Sequence, residues 1–177
     1  LGGCVSFGGK APASMLVLTA DNVVIAGVAH TASATEALVI QTPDVPRKLD
    51  TNRIPVQINA SSIAYLKDAF WADKPARLMQ SLLVETVSAK SGNLVLNEID
   101  AGGKAPRSLS GSLIEFGIDA SSNEAVVVYD AVKIMRGSAT EKRRFEARKR
   151  MAAIEAAPAG AALNSAANDV AAQIADW

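Results

Sequence analysis

The apolar positions change period along the chain, and the changes mark its elements. Residues 14–19 enclose a compact Met-Leu-Val-Leu run that predicts a first strand, and residues 37–41 (Ala-Leu-Val-Ile-Gln) predict a second, stopped by Pro43 and Pro46. Residues 21–35 between them are rich in Ala, Val and Thr without a period and read as a loop. From Arg53 the pattern alternates through Ile54, Val56 and Ile58, turns at Asn59-Ala60-Ser61 and resumes over residues 63–66, which is the signature of a hairpin. Asp73-Lys74-Pro75 then opens a helix, since an acid suits the N-terminal end of the macrodipole and Pro is tolerated in the first turn. Met79, Leu82, Leu83, Thr86 and Val87 give that helix one buried face, and Ser91-Gly92-Asn93 closes it.

A short strand follows at residues 94–96, then an exposed loop over residues 102–106. Residues 108–119 and 125–135 are the two longest strand predictions, joined as a hairpin through residues 120–124. Gly137-Ser138 returns the chain into a third strand around Arg143 to Arg148, completing an antiparallel meander. Residues 158–177 are Ala-rich, with Leu163, Ala167, Val170, Ile174 and Trp177 on one stripe of a closing helix. The fold class this implies is α/β: a single domain over residues 14–177, with a mixed β-sheet containing the meander and two main helices packed on it. Residues 1–13, with Gly8, Gly9 and Pro12, read as a tether.

The chain has 177 residues and 18.4 kDa, enough for one domain with a real core. Hydrophobic residues make up 49% and charged residues 20%, which excludes general disorder. No apolar run approaches the roughly 18 residues needed to span a bilayer, so attachment to a membrane would have to come from lipid or from partners. Lys plus Arg and Asp plus Glu both number 18, and so balanced a charge argues against nucleic acid as a partner. One Cys forbids an internal disulfide, and with one His the usual His/Cys zinc sites cannot be built. No metal or other cofactor is expected.

The single cysteine falls in Leu1-Gly2-Gly3-Cys4. A signal peptidase that processes bacterial lipoproteins reads this kind of tetrapeptide: Leu three places before the cysteine, two small residues, and a thiol to carry the diacylglyceryl group. The expectation is that cleavage leaves Cys4 as the first mature residue and that Leu1 to Gly3 are the stub of a sequence trimmed upstream. The competing reading is a plain thiol at a frayed terminus.

Catalytic chemistry is hard to assemble from what remains. Gly102-Gly103-Lys104 lacks the first glycine of a phosphate-binding loop, and Ala105 stands where Ser or Thr would hold magnesium. Ser110-Gly111-Ser112 lacks the flanks of a nucleophile elbow, and its base would have to be His30, in the least regular part of the chain. Asp68 and Asp73 flank a helix start, which is reason enough for them. The inventory points away from an enzyme.

Two clusters remain as candidate partner-contact surfaces. Lys142-Arg143-Arg144 and Arg148-Lys149-Arg150 carry six of the 18 positive charges, and on a strand Arg144 and Arg148 share one face with Glu146 between them, opposite Phe145 and Ala147. They read either as a solvated face that guards an edge strand or as a docking surface. Tyr65, Phe70 and Trp71 gather three of the eight aromatic residues within seven positions. They read either as a core plug seating the helix at Pro75 or, where exposed, as an interaction patch.

The lipobox, the run Tyr65-Leu66-Lys67-Asp68-Ala69-Phe70-Trp71-Ala72-Asp73-Lys74-Pro75-Ala76-Arg77-Leu78, the strand Leu109-Ser110-Gly111-Ser112-Leu113-Ile114-Glu115-Phe116 and the Ala-rich closing helix together resemble the ABC-type transport auxiliary lipoprotein family. The resemblance covers nearly the whole chain from Cys4, though residues 21–35 match nothing in it. It implies a periplasm-facing lipoprotein of a Gram-negative envelope, with Cys4 as the lipid-bearing position. It also implies an accessory role beside ABC transporter components and a mammalian-cell-entry (MCE) type substrate-binding protein in moving lipids or organic solvents, with self-association into a homo-oligomer plausible. Val5 follows the cysteine where Asp would signal inner-membrane retention, so the sorting rule points to the outer membrane. The alternative of another class is a periplasmic domain that itself binds a small apolar ligand, for which a sizeable apolar pocket would speak.

Overall fold

The computed structural model describes residues 14–33, 36–103, 107–135 and 140–177. The lipobox and tether, residues 104–106 and the turn expected at Gly137-Ser138 lie outside the described residues.

Seven strands form one mixed sheet around β5 (Arg107–Asp119). β6 (Glu124–Ile134) pairs antiparallel along one edge of β5, and β7 (Glu141–Arg150) pairs antiparallel with β6. The other edge of β5 is shared. β1 (Leu38–Ile40) runs parallel to it over Arg107 to Leu109, and β2 (Arg53–Asn59) runs parallel to it at Ile118 and Asp119. Between the two, Asp44 bridges to Ser112. β3 (Ser62–Phe70) lies antiparallel outside β2, and β4 (Val95–Asn97) lies parallel outside β1. Apart from the strand expected over residues 14–19, the expected strands, hairpin and meander are therefore present, shifted by a residue or a few at their ends.

Two helices cover one face of the sheet. α1 (Pro75–Ser91) begins with Pro at its first position and ends at Gly92, whose φ of 67° provides the left-handed turn that glycine adopts without a Cβ penalty. The N-cap is Lys74, which makes no side-chain cap bond; Asp73 serves instead by accepting the Lys74 N–H at 2.7 Å and pairing with Arg77 at 3.2 Å. Met79, Leu82, Leu83, Thr86 and Val87 are all buried, as their spacing requires. α2 (Ala156–Asp176) packs on α1, β6 and β7. Its Leu163, Ala167, Val170 and Ile174 meet a sheet face that includes Ala125, Val127, Tyr129 and Ala131 of β6 and Phe145 and Ala147 of β7.

Trp177 ends the stripe of α2 partly buried, its ring 5.5 Å from Phe145, with Lys133 Nζ 4.1 Å from the ring centroid. Lys133 also donates to the Trp177 carbonyl at 3.0 Å. Trp177→Ala should lower stability by about 1–2 kcal/mol in urea unfolding, less than a fully buried aromatic would cost. An unchanged midpoint would show that the end of α2 frays away from the sheet.

Residues 14–19 correct the reading of a first strand. They make one parallel bridge, Leu16 to Trp71, in which Leu16 N–H reaches the Phe70 carbonyl at 2.7 Å and Ala72 N–H reaches the Leu16 carbonyl at 2.8 Å. The remainder of the segment lies over α2, so it finds side chains where a strand would find a ladder. Thr19 N–H donates to Asn164 Oδ1 at 2.7 Å, Asp21 N–H to Asn168 Oδ1 at 2.8 Å, and Asn168 Nδ2 returns to the Thr19 carbonyl at 2.8 Å. Farther on, Val24 N–H donates to Glu85 Oε1 of α1 at 2.7 Å, and the His30 ring contacts the Gly92 carbonyl at 3.0 Å. The alternation that suggested a strand persists: Leu16 and Leu18 pack inward while Met15 and Val17 face out. The result is an extended strap across the helices, a third layer on the side away from the open sheet face.

Candidate functional site

The open face of the sheet gathers most of the residues singled out from sequence. β7 turns Phe145 and Ala147 into the core and Arg144 and Arg148 outward, as strand alternation demands. The register sets Arg144 opposite Asp130 of β6, a carboxylate that is itself buried, and the guanidinium grips it through two hydrogen bonds of 2.6 and 2.9 Å. Lys142 adds a longer contact to the same carboxylate at 3.6 Å. Arg148 donates to Glu146 at 2.6 Å and lies 3.7 Å from both Asp119 and Glu124. The basic strand is therefore largely neutralised by its own neighbours. Val126 and Val128, outward-facing on β6, are buried at 7% exposure each in the midst of these charges. This is how long Arg stems shield an apolar sheet face while their heads stay in water.

The Arg144 guanidinium holds the Asp130 carboxyl below its ordinary range. A carboxylate depressed on folding stabilises the protein above its unfolded pKa of about 3.9, and that contribution is lost as pH falls through the lower folded value. Asp130→Asn should therefore flatten the fall of the urea midpoint with pH below about pH 4, because the amide does not titrate. An identical acid profile in parent and variant would mean that the pair adds nothing to the native state.

The aromatic cluster divides. Trp71 is wholly buried and its ring lies 5.2 Å from Phe116, so it is a core residue and cannot meet a partner while the fold persists. That corrects its inclusion among the contact candidates; the main chain turns from β3 toward α1 here, and this residue falls on the helix side. Tyr65 and Phe70 are partly exposed. Tyr65 pairs across from Pro55, its hydroxyl donates to the Lys48 carbonyl at 3.3 Å, and Arg53 lies 4.8 Å from its ring centroid.

Between Arg148 and the neighbours of Tyr65 lies a groove of about 490 Å³, floored by Pro55, Gly117 and Val126 and rimmed by Lys48, Gln57 and Arg148. Lys48 is paired with Glu115 at 2.6 Å. Gly117 is required there, because a Cβ would fall 2.4 Å from the Pro55 carbonyl oxygen. The structure thus brings Arg148 and the Tyr65 region to one surface and leaves Arg144 farther along the same face. Sequence reasoning missed Lys48, Asp130 and Asp119, whose roles follow from strand register and carry no local signal. Among the described residues no group of three or more His, Cys, Asp or Glu is placed to hold a metal, and no helix is long and apolar enough to cross a membrane. What this surface can do chemically is bind by charge and shape.

A family model described as the ABC-type transport auxiliary lipoprotein component matches residues 21–175. The chain belongs to this family. The match spans the whole sheet, α1 and all but the last residue of α2, and includes the segment 21–35 that sequence reading left unplaced. Two solved structures share this fold. A crystal structure of a protein from Xanthomonas campestris aligns with a TM-score of 0.74 over 93% of this chain and 94% of that one, at 16% identity. A crystal structure of an uncharacterized protein aligns at 0.69 over 92% and 98%, at 14% identity. At such identities the likeness concerns the fold. A search of curated protein sequences found no match.

Proposed function

We propose that the protein is a lipid-anchored, periplasm-facing accessory subunit of an ABC/MCE-type transport system for lipids or organic solvents, working by contact and not by catalysis. The observation that carries this reading is the family match over residues 21–175, to which the Leu1-Gly2-Gly3-Cys4 lipobox adds the anchor. Cys4 bears the lipid, and Val5 after it directs the protein to the outer membrane. The closed core supports contact over encapsulation: Trp71, Phe116, Tyr129, Met79 and Leu163 fill the space between sheet and helices, and the groove on the open face is shallow and mixed in polarity. Arg148, Arg144, Tyr65 and Phe70 form the partner face, with the MCE-type protein as its occupant and a second copy of the chain as the competing one.

Protein isolated from native membranes should carry an acyl adduct on Cys4 by mass spectrometry and bring MCE and ABC components with it. Tyr65→Ala combined with Arg148→Ala should weaken that co-purification while the urea midpoint stays near the parent's. An unmodified Cys4 on protein from native membranes would refute the anchor. Full retention of every partner by the double variant would remove the partner face.

A further inference from the structure

The strap of residues 14–33 holds an unusual concentration of exposed apolar groups. Nine large hydrophobic side chains are exposed among the described residues, and five of them are Met15, Val17, Val23, Ile25 and Val28, with Ile25 at 74%. Asp21 is the sole Asp, Glu, Lys or Arg in residues 14–33. The strap is not loosely laid: its backbone is pinned to Asn164 and Asn168 of α2 and to Glu85 of α1, and Leu16 packs over Gly160, where a Cβ would come within 2.7 Å of its Cδ2. Those bonds fix which side chains point away from the protein. The sheet face on the opposite side is laced with ion pairs. Five outward apolar side chains on one pinned segment of an otherwise well-paired protein mark a place that something covers.

We propose that the strap lies on a lipid surface, its outward Val, Ile and Met side chains entering the boundary between headgroups and acyl chains. The occupant follows from chain continuity. Nine residues lie between Cys4 and Ser14, and even fully extended the ten steps from one to the other reach only about 35 Å. The proposal rests on the reading of Cys4 as acylated: such an anchor holds the start of the strap within that distance of the bilayer and raises its effective concentration there. With a single acid and no fixed cation, the strap binds through buried apolar area and not through attraction to anionic lipid. Docked in this way, the domain turns its helices toward the membrane and presents the groove beside Arg148 to the periplasm, where a protein partner can reach it.

The test uses the full chain as a Cys4→Ser protein, so that no acyl chain contributes, and vesicles of phosphatidylethanolamine with varied phosphatidylglycerol. The unlipidated chain should float with vesicles weakly, at a level insensitive to phosphatidylglycerol content and to added salt. Val23→Asp with Ile25→Asp should reduce partition by at least about tenfold. A milder Ile25→Asn and Val28→Asn protein checks that the loss is not unfolding, since both sites are exposed and circular dichroism should match the parent. Absence of vesicle binding by the Cys4→Ser chain, or binding untouched by either strap variant, would overturn the proposal. So would loss of binding on Arg144→Glu, which would place the membrane at the sheet face, or strap variants that abolish self-association in light scattering without affecting lipid. The outcome is separable from the anchor reading, because acylation of Cys4 is scored by mass on native protein and flotation is scored without it.

Discussion

Replacing Trp71 by Ala should cost about 3–5 kcal/mol, a large share of the roughly 5–15 kcal/mol that stabilises a typical domain. The indole is fully buried, packs tilted at 5.2 Å against Phe116 of the central strand, and belongs to the residue through which Leu16 of the strap is tied to the sheet. Truncation would open a cavity where three layers meet, and the sheet cannot collapse into it because β2 and β5 are fixed by their own pairing. Trp71→Phe separates packing from hydrogen bonding. The indole Nε1 has no hydrogen-bond partner among the described residues, so losing that N–H forfeits no bond, and the cost should stay under about 2 kcal/mol. Urea unfolding of the two variants beside the parent gives both numbers. If Trp71→Ala unfolds within about 1 kcal/mol of the parent, the side chain is not the core element described above. Weakened partner binding in Trp71→Ala would accordingly report damage to the core and not a lost contact.

Gly111→Ala should be as damaging for the opposite reason. A Cβ at this position would stand 2.1 Å from the Asp130 carbonyl oxygen and 2.7 Å from Cε1 of the Tyr129 ring. The first neighbour is backbone in a paired strand and the second is a fully buried ring, so neither can step aside cheaply. Gly111 also accepts the Asp44 N–H at 2.9 Å, one of the bonds that carry the chain along β5 from β1 to β2. Displacing its backbone therefore strains both edges of the central strand at once. The expected loss is about 3 kcal/mol or more, the upper range for overpacking. Gly111→Ala at parental stability would mean that β5 and β6 are farther apart here than their pairing indicates. The Ser-Gly-Ser sequence, unconvincing as a nucleophile elbow, has its explanation in this close approach.

Helix α1 was legible to the residue because its signals are local: Pro75 sets the start, Gly92 supplies the left-handed stop, and Met79 to Val87 show the period between them. The β5–β6–β7 meander was legible for the same reason, each strand lying next to its successor. Long-range geometry left no such trace. Nothing in Leu38–Ile40 or Arg53–Asn59 announces that both run parallel to β5, more than fifty residues later, and the partnering of Arg144 with Asp130 depends on that sheet's register. The strap failed differently. Its alternation of apolar residues is real, yet alternation records only that one side is buried and is silent on whether the cover is a strand or a helix. For Tyr65, Phe70 and Trp71 the sequence held two readings open, and the bend after β3 gave one to each: the first two to the surface, the last to the core.

The order in which the ribosome delivers these strands runs against the order in which they can pair. β1 and β2 emerge first, but the strand that joins them is Arg107–Asp119, so before it is made the chain has only the β2–β3 hairpin, α1 and the short β1–β4 pairing to form. In the second half β5, β6 and β7 each pair with a sequence neighbour, while α2 closes over β6 and β7 and over α1 from the first half. Loop-closure entropy then places the parallel pairings late in folding. The sheet therefore cannot close until the second half has been made, and the apolar strap, whose partners Gly160, Asn164 and Asn168 all lie on α2, stays without that support until the last helix is in place.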